Sequence, residues 1–391
     1  MKFKKLFIVA LALISVFFAL NISVNTVYAL EDSDGYTAKS LYLIDYNTGT
    51  VLYEKNSETK LPVASIVKLM TIELTCEEIE SGRLSLDEIV TASSNSASMG
   101  GSQVFIEEGG QYSVGDLLKS TIIASANDAS VALAERICGS ESEFVNLMNK
   151  KAMELGLDNT FYVNCTGLPA VGQFSCAKDT ARLLKQVTSH DIYHKYSTIW
   201  MDTLLHPNGR ESELVNTNKL IRYFEGCDGG KTGSTSEAGY CLSATAKRGN
   251  MRLIGVVLGA ENGKLRFAET SKLLNYGFSN FENRMIVDKS SPKFCYTLPV
   301  KMGDVKQISA CPKDDIYLLM KKREDSSQIE TKLELADSVS SPVKKGDVVG
   351  KIYVIKNGVV ISETDVVSTN DAMKQNYADN IGQIIDFWKF K

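Results

Sequence analysis

With 391 residues, 44% of them apolar and only 7 prolines, the chain exceeds the ~250 residues at which a single core stops growing, so two or three globular domains are expected. A formal net charge of -4 provides no broad cationic field for counterion-driven phosphate binding, which excludes nucleic acid as a partner. The eight cysteines are scattered without a Cys-x-x-Cys pair, and His190, His194 and His206 lack an accompanying acidic ligand pattern, so neither a metal site nor a cofactor is expected.

The N-terminus runs from Lys2, Lys4 and Lys5 through an apolar stretch, Leu6 to Leu20, to Val27-Tyr28-Ala29. That order reads as a secretory signal peptide over residues 1–29, cut after Ala29. An uncleaved anchor is the rival reading, because the run approaches the length that spans ~30 Å of hydrocarbon. Either way the remainder is exported to the outer face of the cytoplasmic membrane. Export permits disulfides, and Cys227 with Cys241 is the first pair to test.

Alternation from Leu41 to Glu54 around Asn47-Thr48-Gly49 predicts a hairpin with Gly49 at positive φ. After Pro62, Ile66, Leu69, Met70, Ile72 and Leu74 recur at helical spacing until Ser81-Gly82. A helical stretch from Val114 to Ala134 is broken at Ser125-Ala126-Asn127-Asp128, residue types that favour caps and turns. Helical patterns return over 143–155 and 179–187, and strands over 240–246 and 251–258 flank a turn at Lys247-Arg248-Gly249-Asn250. The first domain, residues 30–285, is therefore a sheet assembled from both ends of its sequence with helices between. Short alternating runs with turns at Lys345-Gly346-Asp347 and Asn357-Gly358 predict a small all-β domain over 286–366. Met373, Tyr377, Ile381, Ile384, Ile385 and Trp388 form one apolar stripe, predicting an amphipathic helix over 367–391 that contacts a membrane surface or packs back on the protein.

Ser65-Ile66-Val67-Lys68 sets a hydroxyl and an amine on one face at a helix start, where a desolvated lysine can serve as base to a nucleophilic serine. Ser-x-x-Lys also occurs at Ser57, Ser175, Ser290 and Ser341, but only Ser65 opens an apolar helix. Ser125-Ala126-Asn127 stands at a break between helical segments. Lys231-Thr232-Gly233 is the only such triplet, and its glycine would let a bound peptide approach the strand backbone.

Together these three motifs resemble the penicillin-recognising serine enzymes, and the fuller match is to the low-molecular-mass D-alanyl-D-alanine carboxypeptidases. The resemblance extends to Pro62-Val63-Ala64-Ser65, Glu154-Leu155-Gly156-Leu157, Gly172-Gln173-Phe174-Ser175, Asn216-Thr217-Asn218-Lys219-Leu220 and Asp228-Gly229-Gly230, and spans residues 35–285. It implies a mixed α/β (α+β) transpeptidase-like domain with an antiparallel sheet, followed by a small all-β domain and a tail helix. It implies that Ser65 attacks the penultimate D-Ala carbonyl of a peptidoglycan stem peptide, with Lys68 as base and Ser125 relaying a proton to the leaving nitrogen. Asn127 would hold a substrate amide, Lys231 keep the pocket cationic, and the backbone N–H groups of Ser65 and Ser234 bind the oxyanion. Thr232 and Arg266 would receive the free carboxylate. β-Lactams would be covalent inhibitors.

The same motifs admit two rivals. A class A β-lactamase would need a deacylating Glu in a Glu-x-x-Leu-Asn pentad, and Glu154-Leu-Gly-Leu-Asp158 does not supply it. A non-catalytic wall-binding protein of the same fold would be expected to have lost a motif residue, and none is lost.

Overall fold

A computed structural model of the protein describes residues 35–375 except residue 326. The chain divides into two compact units, one running to Ala246 and resuming over Leu253–Leu274, the other comprising Lys247–Arg252 and the chain from Asn275.

In the first unit both ends of the sequence meet in one sheet, ordered Val51–Lys55, Ser40–Asp45, Met251–Ala260, Gly239–Arg248, Cys227–Thr235. The first hairpin turns where Gly49 takes φ +70°, as its sequence predicts. Between the two halves of the sheet the chain is mainly helical. Helix Lys68–Glu80 is buried at every residue from Lys68 to Cys76, so it is wrapped on all sides and not laid on a surface. The predicted break separates helices Val114–Ile123 and Asn127–Cys138, and Ser125 sits in it with φ +62°. Helices Glu141–Glu154, Ala177–Val187 and Asp191–Ser197 complete the layer that leads to the last strands. Sequence patterning missed the hairpin Met201–Leu205 with Glu211–Val215. Only Leu204 and Leu214 of these strands are buried, so the alternation that would reveal them is faint.

The second unit is all β apart from the end of helix Gly263–Asn280 and one short turn of helix. Strand Phe281–Val287 pairs with Ile316–Lys321. The six-stranded sheet is ordered Ile329–Leu335, Val348–Lys356, Val359–Ser368, Gln307–Pro312, Tyr296–Lys301, Val339–Ser340. Asn357 and Gly358 both take positive φ, 53° and 76°, the pair of conformations a type I′ hairpin demands. The tail begins extended, with Ala372 and Lys374 bridging Val343 and Gly303. The rest of the expected tail helix, like the expected signal peptide, lies outside the described residues. No helix among the described residues is long and apolar enough to cross a membrane.

The disulfide is not where the sequence first suggested. Cys227 and Cys241 are free and buried, because strand register sets Cys227 opposite Ala246 and Cys241 opposite Gly233. Five positions of strand separate them, roughly 17 Å at ~3.4 Å per residue, against the ~7 Å limit between bridged Cα atoms. Cys295 and Cys311 are joined instead, with Cα atoms 4.4 Å apart and a separation of 16 positions in sequence. Thiol titration of the denatured, unreduced protein should therefore count six thiols, rising to eight after reduction. A count of eight before reduction would contradict the pairing.

Candidate active site

Ser65 is half-buried on a single 3-10 turn, Ala64–Val67, that feeds directly into the Lys68–Glu80 helix. Ala64 enters the turn with φ +50°, a conformation that costs a non-glycine residue ~1–3 kcal/mol and so must be imposed by its surroundings. Two glycines do this. A Cβ on Gly167 would lie 2.1 Å from the Ala64 carbonyl oxygen, and one on Gly233 would lie 2.5 Å from the Val63 carbonyl oxygen and 3.0 Å from the Ser65 nitrogen. The Lys-Thr-Gly strand thus abuts the Ser65 turn backbone to backbone. The room that the sequence assigned to a bound peptide at Gly233 is filled on that side by the protein's own main chain.

Lys68 is fully buried, and its Nζ donates to Ser65 Oγ at 3.1 Å and to the Thr166 carbonyl at 2.5 Å. Desolvation pulls its pKa down to about 7, against the opposing fields of Cys165 and Asp128. The loop bearing Thr166 is folded by two side-chain amides. Asn164 Oδ1 accepts from the Thr166 and Gly167 amides, while Gln173 Oε1 accepts from Val163 and Asn164. This explains the Gly172-Gln173-Phe174-Ser175 word as loop architecture.

Lys231, 1% exposed, donates from Nζ to Ser125 Oγ at 2.6 Å and to the Thr232 carbonyl at 3.2 Å. Burial, then the charges of Lys68 and Arg266, push its pKa well below the usual lysine range. Ser125 is held in its left-handed conformation by the anchored start of the helix after it. Asp128 accepts from the Val104, Ile106 and Ala129 amides, and the Asn127 amide donates to the Ser102 carbonyl at 2.7 Å. Asn127 Nδ2 donates to the Gly100 carbonyl, leaving its Oδ1 buried without a partner. Arg266 lies at the other side of the strand, donating from Nη1 to the Gly233 and Cys241 carbonyls, with its Nε buried and unpartnered. Desolvation lowers its pKa. Thr232 is buried and Ser234 exposed on the same strand.

The arrangement can therefore activate a hydroxyl with a neutral amine and supply a second hydroxyl backed by an amine, and it leaves two buried polar atoms, Asn127 Oδ1 and Arg266 Nε, without a protein partner. It brings together Ser65, Lys68, Ser125, Asn127, Lys231, Thr232, Gly233, Ser234 and Arg266 around one strand and one turn. The protein matches the peptidase family described as D-alanyl-D-alanine carboxypeptidase over residues 27–262, and the C-terminal domain of penicillin-binding protein 5 over residues 281–374. The chain belongs to the D-alanyl-D-alanine carboxypeptidase family. It is 41% identical to the D-alanyl-D-alanine carboxypeptidase DacF of Bacillus subtilis, over 91% of each chain. Among solved structures, penicillin binding protein 5 from Haemophilus influenzae is 31% identical, with a TM-score of 0.68 over 87% of this chain and 98% of that one. Penicillin-binding protein D2 from Listeria monocytogenes, in its ampicillin-bound form, is 32% identical with a TM-score of 0.56, covering 62% of this chain and 98% of that one.

As a member of that family the carboxypeptidase is a serine-type hydrolase, and this reading is favoured over the β-lactamase and non-catalytic alternatives. Glu154, the residue nearest to a lactamase pentad, ends a surface helix facing Lys150 at 3.9 Å. Residues that motif reading passed over support the carboxypeptidase strand from behind. Asn218 donates to the Gly229 carbonyl at 3.1 Å, Ser197 to the Asp228 carbonyl at 2.6 Å, and Tyr193 Oη accepts from the Gly230 amide at 2.7 Å. Asn218 was visible only as part of a matching word, and Tyr193 and Ser197 carry no sequence signal.

Because its neighbours are backbone atoms that cannot rotate away, Gly233→Ala should lower the rate of acylation by a β-lactam at least about ten-fold while costing about 1–3 kcal/mol of stability. Stopped-flow acylation and denaturant melts measure the two; a variant that acylates at the wild-type rate would show that strand and turn have room to part.

Proposed function

We propose that Ser65 is the nucleophile that removes the terminal D-Ala from a peptidoglycan stem peptide ending in D-Ala-D-Ala. The observation that carries this reading is the pairing of each serine hydroxyl with a buried lysine amine, Lys68 on Ser65 at 3.1 Å and Lys231 on Ser125 at 2.6 Å.

The two lysines interact, so their protons belong to the pair. A substrate carboxylate beside Lys231, Thr232 and Arg266 draws the shared proton to Lys231 and leaves Lys68 neutral. Ser65 Oγ then bonds to the penultimate D-Ala carbonyl carbon as its proton passes to Lys68. The oxyanion is met by the backbone N–H groups of Ser65 and Ser234. As the C–N bond breaks, the leaving D-Ala nitrogen takes the Ser125 proton, which Lys231 replaces. Asn127 Oδ1, which lacks a protein partner, accepts from a substrate amide. Lys231, now neutral, takes the proton from Lys68. Lys68 then deprotonates a water that attacks the acyl carbon and hands that proton to Ser65 Oγ as the ester bond breaks, which returns Ser65, Lys68 and Lys231 to their starting states.

β-Lactams acylate the same oxygen, but ring opening keeps the leaving group tethered, so the ester persists. The Listeria monocytogenes relative in its ampicillin-bound form supports this part of the reading. The Lys-rich, then apolar, N-terminus supports export to the wall space, and the apolar stripe toward Trp388 supports attachment to the membrane surface.

Two outcomes test the mechanism. Mass spectrometry after penicillin treatment should find the adduct on the peptide holding Ser65, and Ser65→Ala should release no D-Ala; an adduct elsewhere would remove the nucleophile from Ser65. The acid limb of kcat/KM should fall near pH 7, because below about 7 Lys68 is an ammonium and cannot accept the serine proton. Lys68→Arg, which keeps the charge but stays protonated, should lose about 10²–10⁴-fold in acylation at every pH.

A further inference from the structure

Behind the base, on the helix that Lys68 begins, lies an ionic cluster that the mechanism does not use, with Glu73 and His190 buried and Glu80 at the solvent edge. Glu73 belongs to the helix that begins with Lys68 and is completely buried, with Oε1 lacking any hydrogen-bond partner. Its Oε2 lies 3.1 Å from His190 Nε2, and the other imidazole nitrogen, Nδ1, lies 2.8 Å from Glu80 Oε2 on the same helix. His190 is itself 5% exposed. With a carboxylate on each nitrogen, only the doubly protonated ring can donate to both.

His190 is also the N-cap residue of helix Asp191–Ser197, the segment that props the Lys231 strand. From that helix Tyr193 Oη accepts from the Gly230 amide and Ser197 donates to the Asp228 carbonyl. Lys231 comes next in the strand and holds Ser125. The route from the base to the second serine therefore closes through His190: Lys68, its helix, Glu73, His190, Tyr193, Gly230, Lys231, Ser125. A second tie between helix and strand is the Gly233 contact with the Ser65 turn, at the opposite end of the strand segment.

We propose that His190, as an imidazolium clamped between Glu73 and Glu80, is a positioning residue that sets the spacing between the Ser65–Lys68 pair and the Ser125–Lys231 pair, so that loss of its proton slackens the site. The proposal rests on the reading of those two pairs as the reacting groups. Burial alone would draw the imidazole pKa down, but the hydrogen bonds and charges of Glu73 and then Glu80 outweigh it and hold the value at about 9. Around the cluster stand Cys76 and Glu77 on the Lys68–Glu80 helix, Tyr193 and Asp191 on the ring's own helix, and Cys227 and Asp228 beyond Tyr193 on the strand. Burial and the neighbouring acids hold Cys76 well above the ordinary thiol range, and burial raises Tyr193 similarly, so both stay neutral while His190 titrates. Since the folded value is raised, the clamp is intact below it and is lost as pH rises through about 9.

The experiment is the second-order acylation constant with a fluorescent penicillin, measured from about pH 6 to about pH 10.5, for the full chain and for His190→Gln, with circular dichroism at each pH. The wild type should show an alkaline limb near 9 with an unchanged native spectrum. His190→Gln should acylate about ten-fold more slowly near pH 8 and lose the component near 9, while Ser65 remains the labelled residue. An alkaline limb whose midpoint is unchanged in His190→Gln, a rate within about two-fold of wild type, or a limb that coincides with loss of the native spectrum would each overturn the proposal, whereas a remaining limb displaced from about 9 belongs to Lys231, whose proton the mechanism uses. Should His190→Gln fail to fold, imidazole nitrogen resonances of the wild type decide: with three histidines in the chain, one must remain charged to about 9 in step with the rate, and titration of all three near or below 7 overturns the clamp. Label on a residue other than Ser65 would instead sink the underlying mechanism.

Discussion

Two lysine amines are buried together, and most of the structure around them serves to make that tolerable. Lys68 and Lys231 are both close to fully buried, each is drawn below the ordinary lysine range by desolvation, and the repulsion between them adds to the shift on Lys231. An isolated buried ammonium costs several kcal/mol, which a protein avoids by releasing a proton. For Lys68 neutrality is the useful outcome, because a neutral amine within reach of a serine hydroxyl is a base. The partners given to the amines are neutral hydroxyls and carbonyls, from Ser65, Thr166, Ser125 and Thr232, which satisfy hydrogen bonds without restoring the full positive charge.

Holding that arrangement requires backbone in conformations it would not choose. Ala64 and Ser125 are non-glycine residues in the left-handed region, the first just before Ser65 and the second, like Ser65, a serine paired with a buried lysine. Each is fixed by structure brought from far along the chain: Gly167 and Gly233 against the Ser65 turn, and the Asp128 carboxylate gathering the amides of 104 and 106 around the Ser125 break. The sheet that joins the early and late strands of the first unit supplies the frame, and the side-chain amides of Asn164, Gln173 and Asn218 fill in where loops cannot make ladder hydrogen bonds.

Much of this was legible in the sequence. The glycine turns at 49 and 357–358, the helical spacing after Pro62 and the polar interruption at 125–128 each express a local rule, and each names its element correctly. The motif residues were legible because three short words recur in a fixed order. Interactions made only by folding escaped. Nothing near His190 announces its carboxylate partners, since Glu73 lies 117 residues away and reads as part of an ordinary helix. The disulfide escaped for the opposite reason: Cys227 and Cys241 were adjacent to the interesting motif, and proximity in sequence said nothing of strand register. The hairpin at 201–215 was invisible because it buries too little to leave a pattern.

The Cys227–Thr235 strand ends its sheet, and a bare sheet margin is a template on which other polypeptides can polymerise. Over Asp228, Gly229 and Gly230 that template is already spent: Ser197, Asn218 and Tyr193 occupy main-chain groups that an intruding strand would need. Only the few residues beyond remain to greet a visitor. So short a landing suits the end of a peptide and is too brief to recruit a neighbouring molecule, which keeps this margin of the sheet from seeding fibres.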